Sequence, residues 1–546
     1  MTQIISVAFR KQLDRIKGSL VCCVIPGSRN HNQGAGFLLL LVLILLVAWY
    51  KWTIFSGNAA PPGSDGGQWL AFGHELFGGE NVRTGFQFYP PLLPFAVKLV
   101  SLVMGPLMAL KLVGTLTSVL LAVPVYLLLH KTLSPWLSAA LAVTVTLAPF
   151  NNEILSFGGY PQLLGTSFLL FSTFSLLMGF NTGHKRWFLL ASLATAATMG
   201  SNVLTALVLA TTSGLITLQY FHKLWRGRES KGVLFHRLRS TLLWWLLPSV
   251  ILSLPFSNIY FAYLSTVIAP TVSPNQMTIM EIAGWANSPW LFESVLWVGI
   301  ASIIGFFFLL MGRAFFYNHA LLASTSVALL LASSFGFFLM RELRFMGFLE
   351  ISLILMTGLI PGRLDSILTH LKARQLLGRL ILIFVLGLVL TVGTVGHRRL
   401  LIASDWYQVV NTPVLTAFDW LHDNADSGSI VITTSTSRWH NYGWWIEGYA
   451  HLPTYTAGNP SLFFFTEERT QVELARSILI LDTPPSEIRV LAQQHGIRFL
   501  FLDKKFLQKT LIEWAPDNYL TRLYKAGFVK RFENDVILIM ENKELR

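Results

Sequence analysis

The feature that most constrains how this chain can fold is a series of long apolar runs separated by short polar segments. The first, Gly36–Phe55, is about 20 residues long, enough for one helix to cross the hydrocarbon core of a bilayer. Positive charge gathers between the runs, at Arg10, Lys11, Arg15 and Lys17, at His130-Lys131, at His184-Lys185-Arg186, from Lys223 to Arg239, at Arg313, and from Arg363 to Arg379. A net charge of +13 would by itself point toward nucleic acid. Its placement in short segments beside apolar runs instead obeys the positive-inside rule, and with 53% hydrophobic and 13% charged residues the chain reads as a polytopic membrane protein, not a nucleic-acid binder. The two cysteines, Cys22 and Cys23, precede the first run on the basic side, so no disulfide staples the C-terminal part. The first run is followed by no small-residue cleavage pattern and is expected to remain as an anchor.

One topology places every basic cluster on one face. After Gly36–Phe55 the spans are Pro106–Leu129, Pro135–Phe150, Gln162–Phe180, Trp187–Met199, Val203–Phe221, Leu242–Ile259, Trp290–Met311, Ala320–Met340, Phe345–Ile360 and Leu380–Val395. This gives about eleven transmembrane helices, with the N-terminus cytoplasmic and the C-terminus outside, in what is expected to be the plasma membrane. Leu92–Met104, at about 13 residues, is too short to cross and is assigned to the interface. Were it a span, the basic segments after it would invert. The expected organisation is a cytoplasmic segment over 1–35, a transmembrane domain over 36–397 with its first outer loop at 56–105, and an extracytoplasmic α/β domain over 398–546. From about Asp405 polar residues return. Strand-like runs at Ser429–Thr433, Arg498–Leu502 and Val536–Met540 then alternate with helical patterns at Glu467–Leu481 and Ser486–His495.

The candidate chemistry gathers at the outer mouths of the spans. Asp65 opens an amphipathic stretch, Asp65–Phe77, directly after the first span; it is either a helix cap or a base. Gly63, Gly66 and Gly67 around it would leave room for a ligand to approach the backbone. Tyr89-Pro90-Pro91 turns the loop back toward the membrane. Asn151-Asn152-Glu153 lies in the next outer segment, Asn151–Pro161, ahead of Tyr160. Glu153 is a solvated carboxylate, or joins Asp65 in binding a divalent cation or in dividing base and orienting roles. Arg341 and Arg344, one helical turn apart on the side where positive charge is scarce, fit a phosphate or snorkel toward headgroups. Lys111 is a further cation at an outer helix end. Glu350, within a span, needs a partner or a cavity. Arg438–Gly448 carries Trp439, His440, Tyr442 and Trp444, an aromatic wall for sugar rings or a seam that docks the outer domain.

The order of first span, loop with Asp65, Tyr89-Pro90-Pro91, interfacial helix and second outer loop with Glu153 resembles the GT-C class of membrane glycosyltransferases. That class includes protein mannosyltransferases, aminoarabinose transferases and the catalytic subunit of oligosaccharyltransferase. The resemblance implies Asp65 as the catalytic acid of the first loop and Glu153 as the assisting or metal-binding acid, with Mg or Mn between them. It implies a sugar donor on polyprenyl phosphate and a glycan, lipid or protein acceptor; Arg341, Arg344 and Lys111 are then the cations placed to contact the donor phosphate. Trp439–Gly443 is similar to the WWDYG motif of oligosaccharyltransferase, with His440-Asn441 where that motif has Trp-Asp. Two other classes compete. A transporter or lipid flippase would show related halves and midplane charges, whereas the ionisable residues here sit at outer mouths. A non-catalytic membrane protein that binds glycans would need only the aromatic wall.

Overall fold

The computed structural model describes residues 31–63, 65–78, 89–226, 231–261, 320–340, 344–360, 374–433, 442–456, 466–479, 483–505 and 516–545. Among them, six helices are long and apolar enough to cross a membrane: Gly34–Ser56, Pro106–Leu129, Tyr160–Thr182, Val203–Trp225, Gly232–Phe261 and Ile383–Trp406. Four shorter apolar helices accompany them, at Leu92–Met104, Pro135–Leu147, Leu322–Phe337 and Phe345–Thr357. The span expected at Trp290–Met311 lies outside the described residues, as do Arg341, Trp439 and His440.

The first helix, His31–Ser56, packs one side on Pro135–Leu147 and Pro106–Leu120 and leaves Leu38, Leu45, Leu46 and Trp49 exposed, as suits a helix bordered by lipid. Leu92–Met104 is separated from Pro106 by Gly105, whose φ of 80° lies in the left-handed region. It buries Leu93, Pro94 and Val97 and exposes Leu99, Leu102 and Val103. That one-sided exposure fits an interfacial helix.

Two boundaries differ from the sequence reading. The helix expected over Pro135–Phe150 stops at Leu147, and a second helix, Pro149–Phe157, replaces the expected open turn. Proline ends the first helix because it has no N–H, and its fixed φ starts the second. The helix expected over Leu380–Val395 runs instead from Arg374 to Trp406, through His397-Arg398-Arg399. These three residues are therefore part of that helix.

Beyond Trp406 a four-stranded mixed sheet forms in the order β1 (Ile430–Thr433), β2 (Ile497–Asp503), β4 (Ile537–Asn542), β3 (Phe528–Glu533). β1 is parallel to β2, and the other pairs are antiparallel. Alternation divides its faces. Leu500, Leu502, Leu538 and Met540 share a core with residues of the helices Thr466–Leu479, Pro485–Gln494 and Pro516–Lys525. Phe499, Phe501, Ile537 and Ile539 face the opposite way and join a core that continues through Phe418 and Trp445 to Trp69 and Phe72 of the loop helix. The C-terminal sheet and the first loop are thus built on one apolar core. β3, with Lys530, Arg531 and Glu533 among its six residues, has no strand-like apolar run and was missed from the sequence.

Candidate active site

The site is built on the helix break at Ala148. A break between two buried helices leaves carbonyls without intrahelical donors, and each must find another. The Val145 carbonyl accepts from Asn151 Nδ2 at 2.8 Å, and the Thr146 carbonyl from Lys51 Nζ at 2.6 Å. Asn152 Nδ2 donates to Leu147 O at 3.1 Å and to Gly396 O at 2.9 Å. On the other side of the break, Glu350 Oε2 accepts from the Phe150 N–H at 3.1 Å, capping the new helix at its positive end. The two asparagines and Glu350 therefore close the break, and their effect is to aim Glu153 from the first turns of Pro149–Phe157. Helix Arg374–Trp406 passes the break at backbone contact. A Cβ on Gly396 would lie 1.7 Å from the Leu147 carbonyl oxygen, so only glycine fits.

One turn beyond Gly396, Arg399 Nε donates to Glu153 Oε2 at 2.5 Å. Tyr407 OH donates to Glu153 Oε1 at 2.8 Å. The side chains of Arg399 and Glu153 are 14% and 8% exposed, so the pair is held away from bulk solvent. Burial first, then the charge of Glu153, pushes the Tyr407 phenol well above its ordinary range, and Asp65 adds to the effect. Tyr407 thus stays protonated and donates.

Asp65 begins the loop helix Asp65–Leu76. It is brought beside the end of Pro149–Phe157 by close backbone packing. Gly158 ends that helix with φ 95°, and a Cβ there would lie 3.0 Å from Asp65 Cβ. Trp69 Nε1 donates to Gly158 O at 2.7 Å. Gly63 has φ 100° and no room for a side chain against Phe157 O, and its N–H bonds Tyr407 O at 2.8 Å. Asp65, Glu153, Arg399 and Tyr407 therefore share one neighbourhood. Tyr160 joins it: it is fully buried against Gly114, its hydroxyl has no hydrogen-bond partner among the described residues, and the Asp65 charge reaches it.

The remaining candidates are placed as follows. Lys111 Nζ donates to Asn58 O at 2.7 Å and ties down the start of the loop. The Tyr89 ring packs tilted against Trp69 and Phe72, with centroids 4.9 Å and 5.8 Å away. Arg344 precedes helix Phe345–Thr357, and its carbonyl accepts from Gln162 Nε2 at 2.9 Å. Tyr442 is buried and donates to Asp503 Oδ2 at 2.6 Å. Trp444 meets Phe72 edge-on at 5.2 Å. The space expected for a ligand at Gly66 and Gly67 is filled: a Cβ on Gly66 would lie 2.8 Å from the Trp445 ring, and one on Gly67 2.5 Å from the Trp445 nitrogen. These two glycines admit the segment after Tyr442, which docks the C-terminal sheet on the loop. Arg399, Tyr407, Lys51 and Gly396 were missed from the sequence. Arg399 could have been found by the argument that singled out Arg341 and Arg344, since the expected topology places it too on the side where positive charge is scarce.

No family model matches the chain, and no curated protein matches it. Solved structures do, and the fold they share is that of polytopic membrane glycosyltransferases of the GT-C class. The archaeal oligosaccharyltransferase AglB of Archaeoglobus fulgidus, in complex with an inhibitory peptide and a dolichol-phosphate, is 12% identical, covers 92% of this chain and 74% of its own, and superposes with a TM-score of 0.55. ArnT from Cupriavidus metallidurans, bound to undecaprenyl phosphate, is 14% identical over 92% of this chain and 98% of its own, with a TM-score of 0.53. The Archaeoglobus enzyme in complex with Zn and sulfate covers 93% of this chain and 73% of its own at 12% identity, with a TM-score of 0.52.

Proposed function

We propose that this protein is a membrane glycosyltransferase that moves a sugar from a polyprenyl-phosphate-linked donor to a glycan, lipid or protein acceptor on the extracytoplasmic face. The observation that carries this reading is the meeting of the first-loop acid, Asp65, with Glu153, Arg399 and Tyr407 at the junction of loop, broken helix and last long helix, within the fold of AglB and ArnT. The eleven-span topology, cytoplasmic N-terminus and plasma-membrane location belong to the same proposal. They are supported by the one-sided basic segments and by nine of the ten apolar helices among the described residues, Leu92–Met104 being the interfacial one.

In the proposed step the bond from the sugar's anomeric carbon to the donor phosphate breaks, and its electron pair leaves with the polyprenyl phosphate. The acceptor's oxygen or nitrogen forms the new bond, and its proton passes to the Asp65 carboxylate. Arg341 and Arg344 are the groups assigned to the leaving phosphate. Glu153 is assigned the orienting role, because both of its oxygens already accept, from Arg399 and from Tyr407. A Mg or Mn ion between Asp65 and Glu153 does not fit those partners, since it would have to displace or crowd a guanidinium. No group of three or more His, Cys, Asp or Glu residues is gathered for a metal among the described residues. No step is routed through a metal.

The test is Asp65→Asn in the purified protein, with labelled polyprenyl-phosphate sugars as donors. Asparagine caps a helix as well as aspartate does but accepts no proton. Transfer should fall by ~10²–10⁴-fold with unfolding temperature unchanged. Near-normal transfer would remove Asp65 from the mechanism.

A further inference from the structure

Resting on the proposed transfer reaction, we infer that the positive charge of this site is built into the chain: the Arg399 guanidinium occupies the second acid, Glu153, in place of a divalent cation, and transfer runs without a bound metal.

The argument begins with the donor set. A carboxylate that ligates a dication offers its oxygens to the metal. Here one oxygen of Glu153 takes a charge-assisted hydrogen bond from Arg399 Nε at 2.5 Å and the other takes the Tyr407 hydroxyl at 2.8 Å. The guanidinium stays charged at every working pH, and the phenol stays protonated in its buried place beside two carboxylates. Neither partner can give way by titration. A dication at the same carboxylate would face a fixed positive charge across a poorly solvated gap, where repulsion is weakly screened.

The second line is rigidity. Arg399 does not reach Glu153 from a loop. It stands on helix Arg374–Trp406, one turn past the point where Gly396 touches the Leu147 carbonyl and accepts from Asn152 Nδ2 at 2.9 Å. Glu153 stands on Pro149–Phe157, whose first N–H groups are capped by Glu350. Both ends of the ion pair are thus fixed by the same helix break. A side chain held this firmly acts as a permanent counter-ion, and Arg399 is a positioning residue that acts through Glu153.

The test uses the full-length chain in lipid nanodiscs with a labelled polyprenyl-phosphate sugar, and Mn²⁺ as the metal probe. Wild-type transfer should be the same in excess EDTA as in added Mn²⁺ or Mg²⁺, and Mn²⁺ should not raise its unfolding temperature. Arg399→Gln should lose about 10²-fold in rate, and free guanidinium should restore part of it, a rescue that a merely structural role would not give. With the guanidinium gone, the Glu153 carboxylate should become open to metal, so Mn²⁺ should bind Arg399→Gln and raise its unfolding temperature. Arg399→Lys, which keeps the charge and the fold but not the fork, should retain intermediate activity and stay insensitive to EDTA. Wild-type activity abolished by EDTA and restored by Mn²⁺ would overturn the inference while leaving the transferase reading intact. No transfer by the wild type under any condition would overturn the transferase reading, and Mn²⁺ binding to wild type and Arg399→Gln would still decide the metal question.

Discussion

Gly396→Ala tests the geometry that holds the site together. The added Cβ would lie 1.7 Å from the Leu147 carbonyl oxygen and 3.1 Å from Asn152 Nδ2. The first contact is with backbone on both sides, so no side chain can swing away. The two helices must part by more than an ångström. The Asn152 Nδ2 bond to Gly396 O, now 2.9 Å, would then lengthen past hydrogen-bonding range, at about 0.5–1.5 kcal/mol. Overpacking adds about 1–3 kcal/mol. Arg399 moves with its helix, away from Glu153, and a displacement of ~1 Å in a positioned group can cost ~10²-fold in rate. The assay is thermal unfolding of the purified protein together with sugar transfer. Gly387→Ala on the same helix is the control, because a Cβ there meets nothing within 4 Å. It should be neutral or stabilising by about 0.5–1 kcal/mol, from helix propensity. Wild-type stability and rate in Gly396→Ala would refute the claim that this contact sets the register of Arg399.

Two further outcomes follow from the same structure. Glu350→Ala should destabilise the protein by about 1–3 kcal/mol, since it leaves the buried Phe150 N–H without its acceptor; Glu350→Gln, which keeps an acceptor oxygen, should lose less, and equal unfolding temperatures for the two variants would reject the capping role. His451 stacks on His74 with ring centroids 4.4 Å apart and faces His422 at 6.0 Å, where the loop helix meets the C-terminal sheet's docking segment. Burial first, then His74, His422 and Lys98, lowers its imidazole from 6.5 to about 4. The folded chain therefore binds fewer protons than the unfolded chain between those values, so stability is greatest above pH 6.5 and falls as the pH drops toward about 4. His451→Asn, which tolerates the left-handed backbone at φ 58°, should flatten that fall in thermal unfolding; an unchanged pH slope would reject it.

Hydropathy and charge order by themselves determined that this is a polytopic membrane chain, and they marked Leu92–Met104 as too short to cross. Loop order singled out Asp65 and Glu153 as its candidate acids. These signals are local: a span is written in consecutive apolar residues, and sidedness in the short segments between them. The partners of those acids are not local. Arg399 is 246 positions from Glu153, and Glu350 is 200 from the backbone it caps. Neither pairing leaves a period or a motif in the sequence. The glycines around Asp65 read as space for a ligand, because sequence shows that a side chain is missing but not what fills its place. Only the tertiary structure, by packing Trp445 on Gly66 and Gly67 and Leu147 on Gly396, decided that the missing side chains make room for other parts of the same chain. Close backbone approach is a property of two segments at once, and each segment's sequence records only its own half.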